Sequence, residues 1–279
     1  MNETPTRPLM RYHGGKWRLA QWIISHFPEH RVYVEPYGGA ASVLLQKPRS
    51  FAEVYNDLDS EIVNVFRVIR NNETAAELVR LLELTPCARD EFDGLLDVSE
   101  DPVEQARRTI ARSFMGYSSD SATRANRTGF RGLSVKTARY SAREWSEYPN
   151  NLRFLIERLQ GVVIENIPAL ELIQRYDAEH TLFYLDPPYP HETRFAARGY
   201  KHEMTNDDHV ELIETLKTLA GKVILSGYRC ELYDELLCDW RMVSKSARGQ
   251  AGNHTGSKIN TECLWISPNA VVQESLFNG

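Results

Sequence analysis

Four consecutive residues, Asp186-Pro187-Pro188-Tyr189, combine groups that could act together on one ligand. They supply a carboxylate, a backbone carbonyl held between two prolines, and an aromatic ring. They follow the apolar run LFYL, which predicts a buried strand, so the tetrapeptide lies at the carboxyl end of that strand. Ligands of open α/β sheets bind at this edge, which favours a functional site over a rigid turn that only caps the strand.

The types of these residues suit chemistry on the amino group of a nucleobase. The amino nitrogen of adenine is a weak nucleophile because its lone pair is delocalised into the ring. Asp186 and the Pro187 carbonyl can accept hydrogen bonds from its two N–H groups, and the two prolines fix the direction of that carbonyl. Tyr189 offers a flat face for a base that has left the stack. We therefore expect methyl transfer through positioning and preorganised acceptors, without a covalent intermediate.

A glycine turn earlier in the chain predicts a nucleoside pocket. Gly38 and Gly39 follow the predicted strand VYVEP and open the segment GGAASVLLQ, which we expect to be a helix. Asp57 lies 19 residues after Gly38, near the offset at which a carboxylate accepts from ribose hydroxyls. The GxGxxG pattern of pyrophosphate binding is absent, which favours S-adenosylmethionine, a cofactor with a ribose and no phosphate. A purely structural glycine turn is the alternative.

Strand and helix patterns alternate along most of the chain and indicate the fold class. Strands are predicted at residues 32–36, 51–57, 161–167, 182–189, 222–228 and 262–267. This order predicts an α/β fold with a largely parallel, Rossmann-like sheet of the S-adenosylmethionine-dependent methyltransferase type. Consecutive helical patterns interrupt it. We therefore expect a catalytic domain of residues 1–58 and 159–279, and an inserted, mainly helical target-recognition domain of residues 59–158.

The net charge of −5 conceals a basic segment. Residues 105–143 contain nine basic residues against the single acidic Asp120, a local net charge of +8, which leaves −13 for the rest of the chain. Phosphate contacts act within about one Debye length, ~10 Å, so we expect the loop 119–140 to bind double-stranded DNA. The residues expected to contact it are Arg124, Asn126, Arg127, Arg131 and Lys136. Arginine can read guanine and asparagine adenine, and a phosphate contact or a solvated side chain is the alternative for each.

Several segments, in the same order, resemble the Dam-like, D12 class of DNA adenine-N6 methyltransferases. These segments are RYHGGK at 11–16, VEPYGGAAS at 34–42, NDLD at 56–59, ENI at 165–167 and the tetrapeptide at 186–189. The resemblance covers nearly the whole chain. It implies transfer of a methyl group from S-adenosylmethionine to the N6 amine of an adenine flipped out of the duplex.

The resemblance also implies roles for single residues. Glu35 is expected to face the methionine amine of the cofactor and Tyr37 to line its pocket, while Asn166 and Ile167 contact its adenine. Further cofactor contacts are implied for Tyr12, Lys16, Gly38, Gly39, Asp57 and Asp186. Arg11, the first residue of RYHGGK, is a further candidate for a DNA contact. For Lys16, a tight turn with a solvated side chain is the alternative. Ala41 departs from the family, because many members have a glycine at that position.

Three other functions stay open. An N4-cytosine methyltransferase uses the same geometry, although its tetrapeptide more often begins with serine. Glutamine and protein methyltransferases usually begin theirs with asparagine. A catalytically inactive DNA-binding relative would keep the fold, although Asp57, Asp186 and Tyr189 are intact in this sequence.

Composition argues against other kinds of site. The histidines lack metal-ligand spacing, so we expect no metal. We expect a cytoplasmic protein without a membrane partner, because no apolar run reaches the roughly 18 residues that span a bilayer and no signal peptide is recognisable. The four cysteines form no CxxC pair, which fits a reducing compartment.

A monomer is favoured, recognition of GATC is not implied, and the resemblance suggests a restriction-modification or phage modification role.

Overall fold

The computed structural model describes residues 5, 7–117, 121, 128–132, 141–193, 201–248 and 259–271. One sheet contains the strands β1 (Val32–Glu35), β2 (Ala52–Asn56), β3 (Val162–Glu165), β4 (Thr181–Leu185), β5 (Lys222–Gly227), β6 (Arg241–Arg248) and β7 (Ile259–Ile266). The α-helices of these residues are α1 (Ala20–Ile24), α2 (Ser60–Ile69), α3 (Asn72–Leu84), α4 (Arg89–Gly94), α5 (Pro102–Met115), α6 (Ser141–Ser146), α7 (Tyr148–Leu159), α8 (Ala169–Tyr176), α9 (Asn206–Lys217) and α10 (Glu231–Leu236).

The strands lie in the order β3-β2-β1-β4-β5-β7-β6. Strands β1 to β5 pair in parallel, and β7 runs antiparallel between β5 and β6. Alternate residues of β4 enter two hydrophobic cores: Leu182 and Tyr184 belong to one, and Phe183 and Leu185 to the other. A strand buried on both faces reads as a continuous apolar run, which is why TLFYL shows no alternation. The predicted α/β fold with a largely parallel sheet is confirmed.

The chain reverses its direction across the sheet between β1 and β4. Strand β2 lies on the far side of β1, and β5 on the far side of β4. The loops after β1 and β4 therefore leave the sheet in opposite directions, and a crevice opens between them at the carboxyl ends of the strands. The register, with Val34 opposite Phe183, brings these two loops to the same edge.

The segment after β1 differs from the prediction. Residues 36–47 form a series of turns instead of the expected helix. Ala41 has a φ of +52°, a left-handed conformation that cannot continue a right-handed helix. Isolated helical hydrogen bonds follow it, such as Leu45 N to the Ala41 carbonyl at 3.0 Å. Ala41, where many members of the family have glycine, thus adopts a backbone conformation that favours glycine.

Between β2 and β3 the described residues contain helices α2 to α7, in the region where the sequence predicted consecutive helices. Side chains cap several of them: Asp59 accepts from the first turn of α2, and Asp101 from that of α5. Buried residues of these helices, such as Phe66 and Trp145, share one hydrophobic core with Tyr33 of the sheet. The division of the chain into two domains therefore stays a prediction. No helix in the described ranges is long and apolar enough to cross a membrane.

Candidate active site

A cavity of about 320 Å³ opens at the carboxyl ends of the parallel strands. Its walls come from the segments that follow β1, β2, β3 and β4, from the N-terminal residues 12–16, and from α9 with the residues before it. Small-molecule sites typically enclose about 300–1,000 Å³. The cavity brings together Asp186, Gly38 and Asp57, which lie far apart in the sequence.

Asp186 lines this cavity directly after β4, followed by the buried Pro187 and by Pro188 in the wall. Its side chain is 18 % exposed, and Nζ of Lys16 lies 2.9 Å from its Oδ1. Lys16 also donates to the carbonyl of Gly14 at 2.8 Å. With a side chain only 6 % exposed, Lys16 is not the solvated lysine of the alternative. The lysine offsets the charge of Asp186 and holds one of its oxygens.

Tyr189 lies behind Asp186 rather than in the cavity wall. Its hydroxyl is 3.0 Å from Oδ1 of Asp186 and is also hydrogen-bonded to Glu262 of β7. The ring packs against Lys16, 4.8 Å from Nζ, and against the ring of Tyr228. Tyr189 is 4 % exposed, so the flat face expected from the sequence is covered in this structure.

Sequence reasoning missed Glu262. The residue is 3 % exposed, and Nζ of Lys16 lies 3.6 Å from its Oε1. The pKa of Glu262 is raised above its ordinary value. Burial is the main cause and the nearby Asp186 adds to it, while Lys16 acts in the opposite direction. The only local indication was an acidic residue at the start of the apolar run ECLWIS, and nothing in the sequence indicated which residues it would contact.

Glu35 lines the cavity at the end of β1 and is buried. Its Oε2 accepts from the hydroxyl of Tyr33 at 2.9 Å and from the N–H of Leu44 at 3.1 Å. Burial raises the pKa of Glu35 to about 8, although both hydrogen bonds lower it. A cation bound beside this carboxyl would favour its charged form.

Asp57 lies in the wall at the end of β2, where it holds the glycine turn in place. Its Oδ2 accepts from the N–H of Gly39 and its Oδ1 from the N–H of Asp59, both at 2.8 Å. Burial raises the pKa of Asp57 to about 6, and the two backbone hydrogen bonds lower it. Asp57, predicted from its spacing after Gly38, therefore lies in the cavity wall, and its hydrogen bonds hold the glycine turn in place.

The two glycines of the turn pack against aromatic rings. Gly39 has a φ of +48°, and a Cβ there would lie 2.8 Å from the ring of Tyr12. A Cβ on Gly38 would lie 2.1 Å from the ring of Tyr55. Any larger residue would have to displace a buried or half-buried ring, so local packing requires glycine at both positions.

The remaining expected cofactor residues divide into two groups. Tyr12 and Tyr37 line the cavity. Asn166 and Ile167 instead contact the end of β2: Asn166 Nδ2 donates to the Asp57 carbonyl at 2.7 Å, and Ile167 N donates to Oδ1 of Asn56 at 3.0 Å. The wall at this edge is formed by the next three residues, 168–170.

A segment that the sequence analysis did not consider closes another side of the cavity. Residues 201–204 and the first half of α9 contribute to the wall. Lys201 lies 2.8 Å from Oδ1 of Asp59, which also caps α2. Among the described lining residues, seven are aspartates or glutamates and two are lysines. This excess suits a positively charged ligand.

The sequence of residues 12–249 matches the family model for the D12 class N6 adenine-specific DNA methyltransferases. The chain belongs to this family. The resemblance inferred from the motifs is confirmed, and since the D12 class acts on adenine, the cytosine alternative loses its support.

Individual relatives agree with this membership. The Type II methyltransferase M1.LlaDCHI of Lactococcus lactis subsp. cremoris is 28 % identical over 283 residues, covering 92 % of this chain and 93 % of the relative. The DNA adenine methylase of Vibrio cholerae is 24 % identical over 238 residues, with coverage of 80 % and 81 %. The DNA adenine methylase of Escherichia coli K12 is 26 % identical over 195 residues, with coverage of 66 % and 65 %.

In this D12 methyltransferase, several basic residues of the segment 105–143 have acidic partners outside it or in α6. Arg112 is buried and pairs with Glu61 at 3.2 Å, while Arg107 pairs with Glu91 at 2.5 Å. Counting charges within the segment alone therefore overstated its basic surface, because the partners follow from the fold and not from the local sequence.

Two of the residues expected to contact DNA converge on one carboxylate. Arg11 and Arg131 both pair with Glu144 of α6, Arg131 at 3.4 Å. The other four, Arg124, Asn126, Arg127 and Lys136, lie outside the described residues. In the part of the chain that is described, no group of three or more histidine, cysteine or acidic residues could hold a metal ion.

Proposed function

We propose that this chain transfers the methyl group of S-adenosylmethionine to the N6 amine of an adenine flipped out of double-stranded DNA. Asp186 and the Pro187 carbonyl are the acceptors that hold the amine. The observation that carries the proposal is that Asp186 and the glycine turn at Gly38 and Gly39 line one cavity. A base held at Asp186 and a cofactor held on the turn would meet inside it.

The chemistry of the cavity fits S-adenosylmethionine. Its carboxylate excess favours the sulfonium and ammonium cations of the cofactor. We assign Glu35 to the ammonium group and Asp57 to the ribose hydroxyls, with Tyr12 and Tyr37 as apolar walls. We assign the adenine contact to residues 168–170, because Asn166 and Ile167 lie behind the wall.

The protein's part in the reaction is to orient the amine. Bound S-adenosylmethionine supplies an electrophilic methyl group on its sulfonium. Asp186 accepts one N–H of the adenine amine and the Pro187 carbonyl accepts the other, which turns the nitrogen lone pair toward the cofactor side of the cavity. Lys16, 2.9 Å from Asp186, keeps the carboxylate in place for this contact. Because Lys16 and the two prolines restrict the movement of these acceptors, we expect little reorganisation when the base arrives.

The target base must leave the duplex before it can reach Asp186. Unstacking takes a few kcal/mol, which contacts to neighbouring phosphates and bases must offset. We propose these contacts for Arg11, Arg124, Asn126, Arg127, Arg131 and Lys136. Stacking of the flipped base on Tyr189 requires the side chains that cover its ring to move, because the residue is 4 % exposed.

A nucleoside analysis tests the proposed function. The purified protein is incubated with S-adenosylmethionine carrying a labelled methyl group and with a mixed-sequence duplex or its single strands, and the DNA is digested. We expect labelled N6-methyladenine, formed faster on the duplex. Labelled N4-methylcytosine, or DNA binding without any label, would contradict the proposal. Sequencing of DNA from cells that express the protein would then identify the target site.

The sequence favours a monomer and predicts a cytoplasmic protein. We retain both as part of the proposal, and sedimentation of the purified protein tests the oligomeric state. A mass well above the 32.0 kDa of one chain would contradict it.

A further inference from the structure

The hydroxyl of Tyr189 faces two carboxylates but carries one hydrogen. Its oxygen lies 3.0 Å from Oδ1 of Asp186 and is also hydrogen-bonded to Oε1 of Glu262. A hydroxyl donates a single hydrogen bond, so this hydrogen can be directed fully at one carboxylate at a time. Whichever carboxylate receives it has one acceptor site fewer for another donor.

The ammonium group of Lys16 is also shared, although it carries three hydrogens. Its Nζ lies 2.9 Å from Asp186 and 3.6 Å from Glu262, and it packs over the ring of Tyr189. One cation and one hydroxyl hydrogen are thus distributed between two acidic side chains. Glu262 is 3 % exposed, so no bulk water can replace either donor if the distribution changes.

We propose that Glu262 is a positioning residue for methyl transfer: by accepting the Tyr189 hydrogen and sharing Lys16, it leaves Asp186 able to accept the substrate amine. This inference rests on the proposed function. Glu262 acts through Tyr189 and Lys16, because Asp186 and Lys16 line the cavity and Glu262 does not.

When Glu262 is ionised, it competes with Asp186 for both donors, and loss of its charge would redirect them to Asp186. Hydrogen bonds to an ionised acceptor are about twice as strong as those between neutral groups, so Asp186 would outcompete a neutral amide at position 262. The Tyr189 hydrogen and Lys16 would then occupy Oδ1 of Asp186. The adenine amine would have to displace them before its nitrogen could be oriented.

The test is a double-mutant cycle on the single-turnover rate of methyl transfer to duplex DNA. Glu262→Gln preserves the shape of the side chain and cannot become charged; the rates are compared across a range of pH, because burial raises the pKa of Glu262 and its charged form is the one that competes with Asp186. We expect the rate to fall about 10- to 100-fold, the range found when an outer-shell partner that orients a metal-binding side chain is removed. Adding Tyr189→Phe removes the competing hydrogen while keeping the ring, so the double variant is expected to recover part of the loss.

Three measurements separate this role from a structural one. The melting temperature and the affinity for S-adenosylmethionine are expected to stay close to those of the wild type in each variant. Glu262→Asp keeps a carboxylate and is expected to be faster than Glu262→Gln. Glu77→Gln, on the surface of α3, controls for the loss of one negative charge and is expected to leave the rate unchanged.

Two outcomes would overturn the inference. One is a Glu262→Gln rate within about twofold of the wild type, well short of the loss expected for an orienting partner. The other is a double variant whose loss is the product of the two single losses, since independent residues combine in that way. If the wild type itself transfers no methyl group to DNA, the proposed function fails instead, which keeps the two failures distinguishable.

Discussion

Binding of S-adenosylmethionine is expected to release a proton from Glu35. Burial raises the pKa of this carboxyl to about 8, so below that pH it holds a proton. It must give the proton up to pair with the ammonium group of the cofactor. Affinity therefore rises as the pH rises toward 8. The α-amino group of a peptide has an ordinary pKa of about 7.7–8.0, so the ammonium group of the cofactor loses its own proton in the same range, and the affinity falls again as the pH rises past about 8.

The pKa of Glu35 sets the size of the effect. Between pH 6 and pH 7 the carboxyl is almost fully protonated without the cofactor, so one unit of pH raises the affinity about tenfold, or about 1.4 kcal/mol. At pH 7 roughly nine in ten molecules carry the proton, so binding releases about 0.9 proton for each cofactor bound.

Titration calorimetry in two buffers of different ionisation enthalpy measures this proton directly. Glu35→Gln is the matched variant, because an amide resembles the protonated carboxyl and its oxygen can still accept from Tyr33 and Leu44. We expect this variant to fold normally, to bind the cofactor more weakly at pH 8 and to lose the dependence on pH. The reasoning is refuted if the wild type releases no proton, or if Glu35→Gln keeps the tenfold rise.

Three further predictions concern the turn, the DNA surface and the core. Gly39→Ala places a side chain at a φ of +48° against Tyr12. We expect the free energy of unfolding to fall by at least about 1–2 kcal/mol and cofactor binding to weaken. An unchanged melting curve would contradict this. Arg131→Met is expected to weaken DNA binding and reduce the slope of log affinity against log salt by about 1, whereas an unchanged slope would argue for a DNA surface elsewhere. Glu53→Ala leaves the buried Lys47 and the partly buried Arg158 without their carboxylate partner. We expect denaturant unfolding to show a loss of about 3–5 kcal/mol in the free energy of unfolding, and a loss under about 1 kcal/mol would refute this.

The sequence predicted those parts of the site that depend on one strand and the loop after it. The run LFYL predicted β4, and with it the position of Asp186 at the end of a buried strand. The glycine turn and Asp57 were predicted for the same reason, because both lie where parallel strands end. The α/β class followed from the order of these patterns.

The parts that depend on distant contacts could not be predicted from local patterns. Glu262 reaches Tyr189 only because β7 inserts beside β5 in antiparallel orientation, a pairing between remote segments. The acidic partner of Arg112 likewise lies 51 residues away, in α2. The prediction of a helix after Gly39 was wrong for a conformational reason. The segment contains good helix formers, but Ala41 adopts a left-handed conformation that composition does not reveal.

The most direct test of the account is to separate cofactor binding from methyl transfer in Asp186→Ala. The affinity for S-adenosylmethionine and the single-turnover rate on duplex DNA are measured on the same preparation, with Glu77→Ala as the control for charge. We predict cofactor binding close to that of the wild type and a transfer rate lower by at least about 10²- to 10³-fold, as when a preorganised hydrogen-bonding group is removed from an active site. Near-normal transfer by Asp186→Ala would contradict the account.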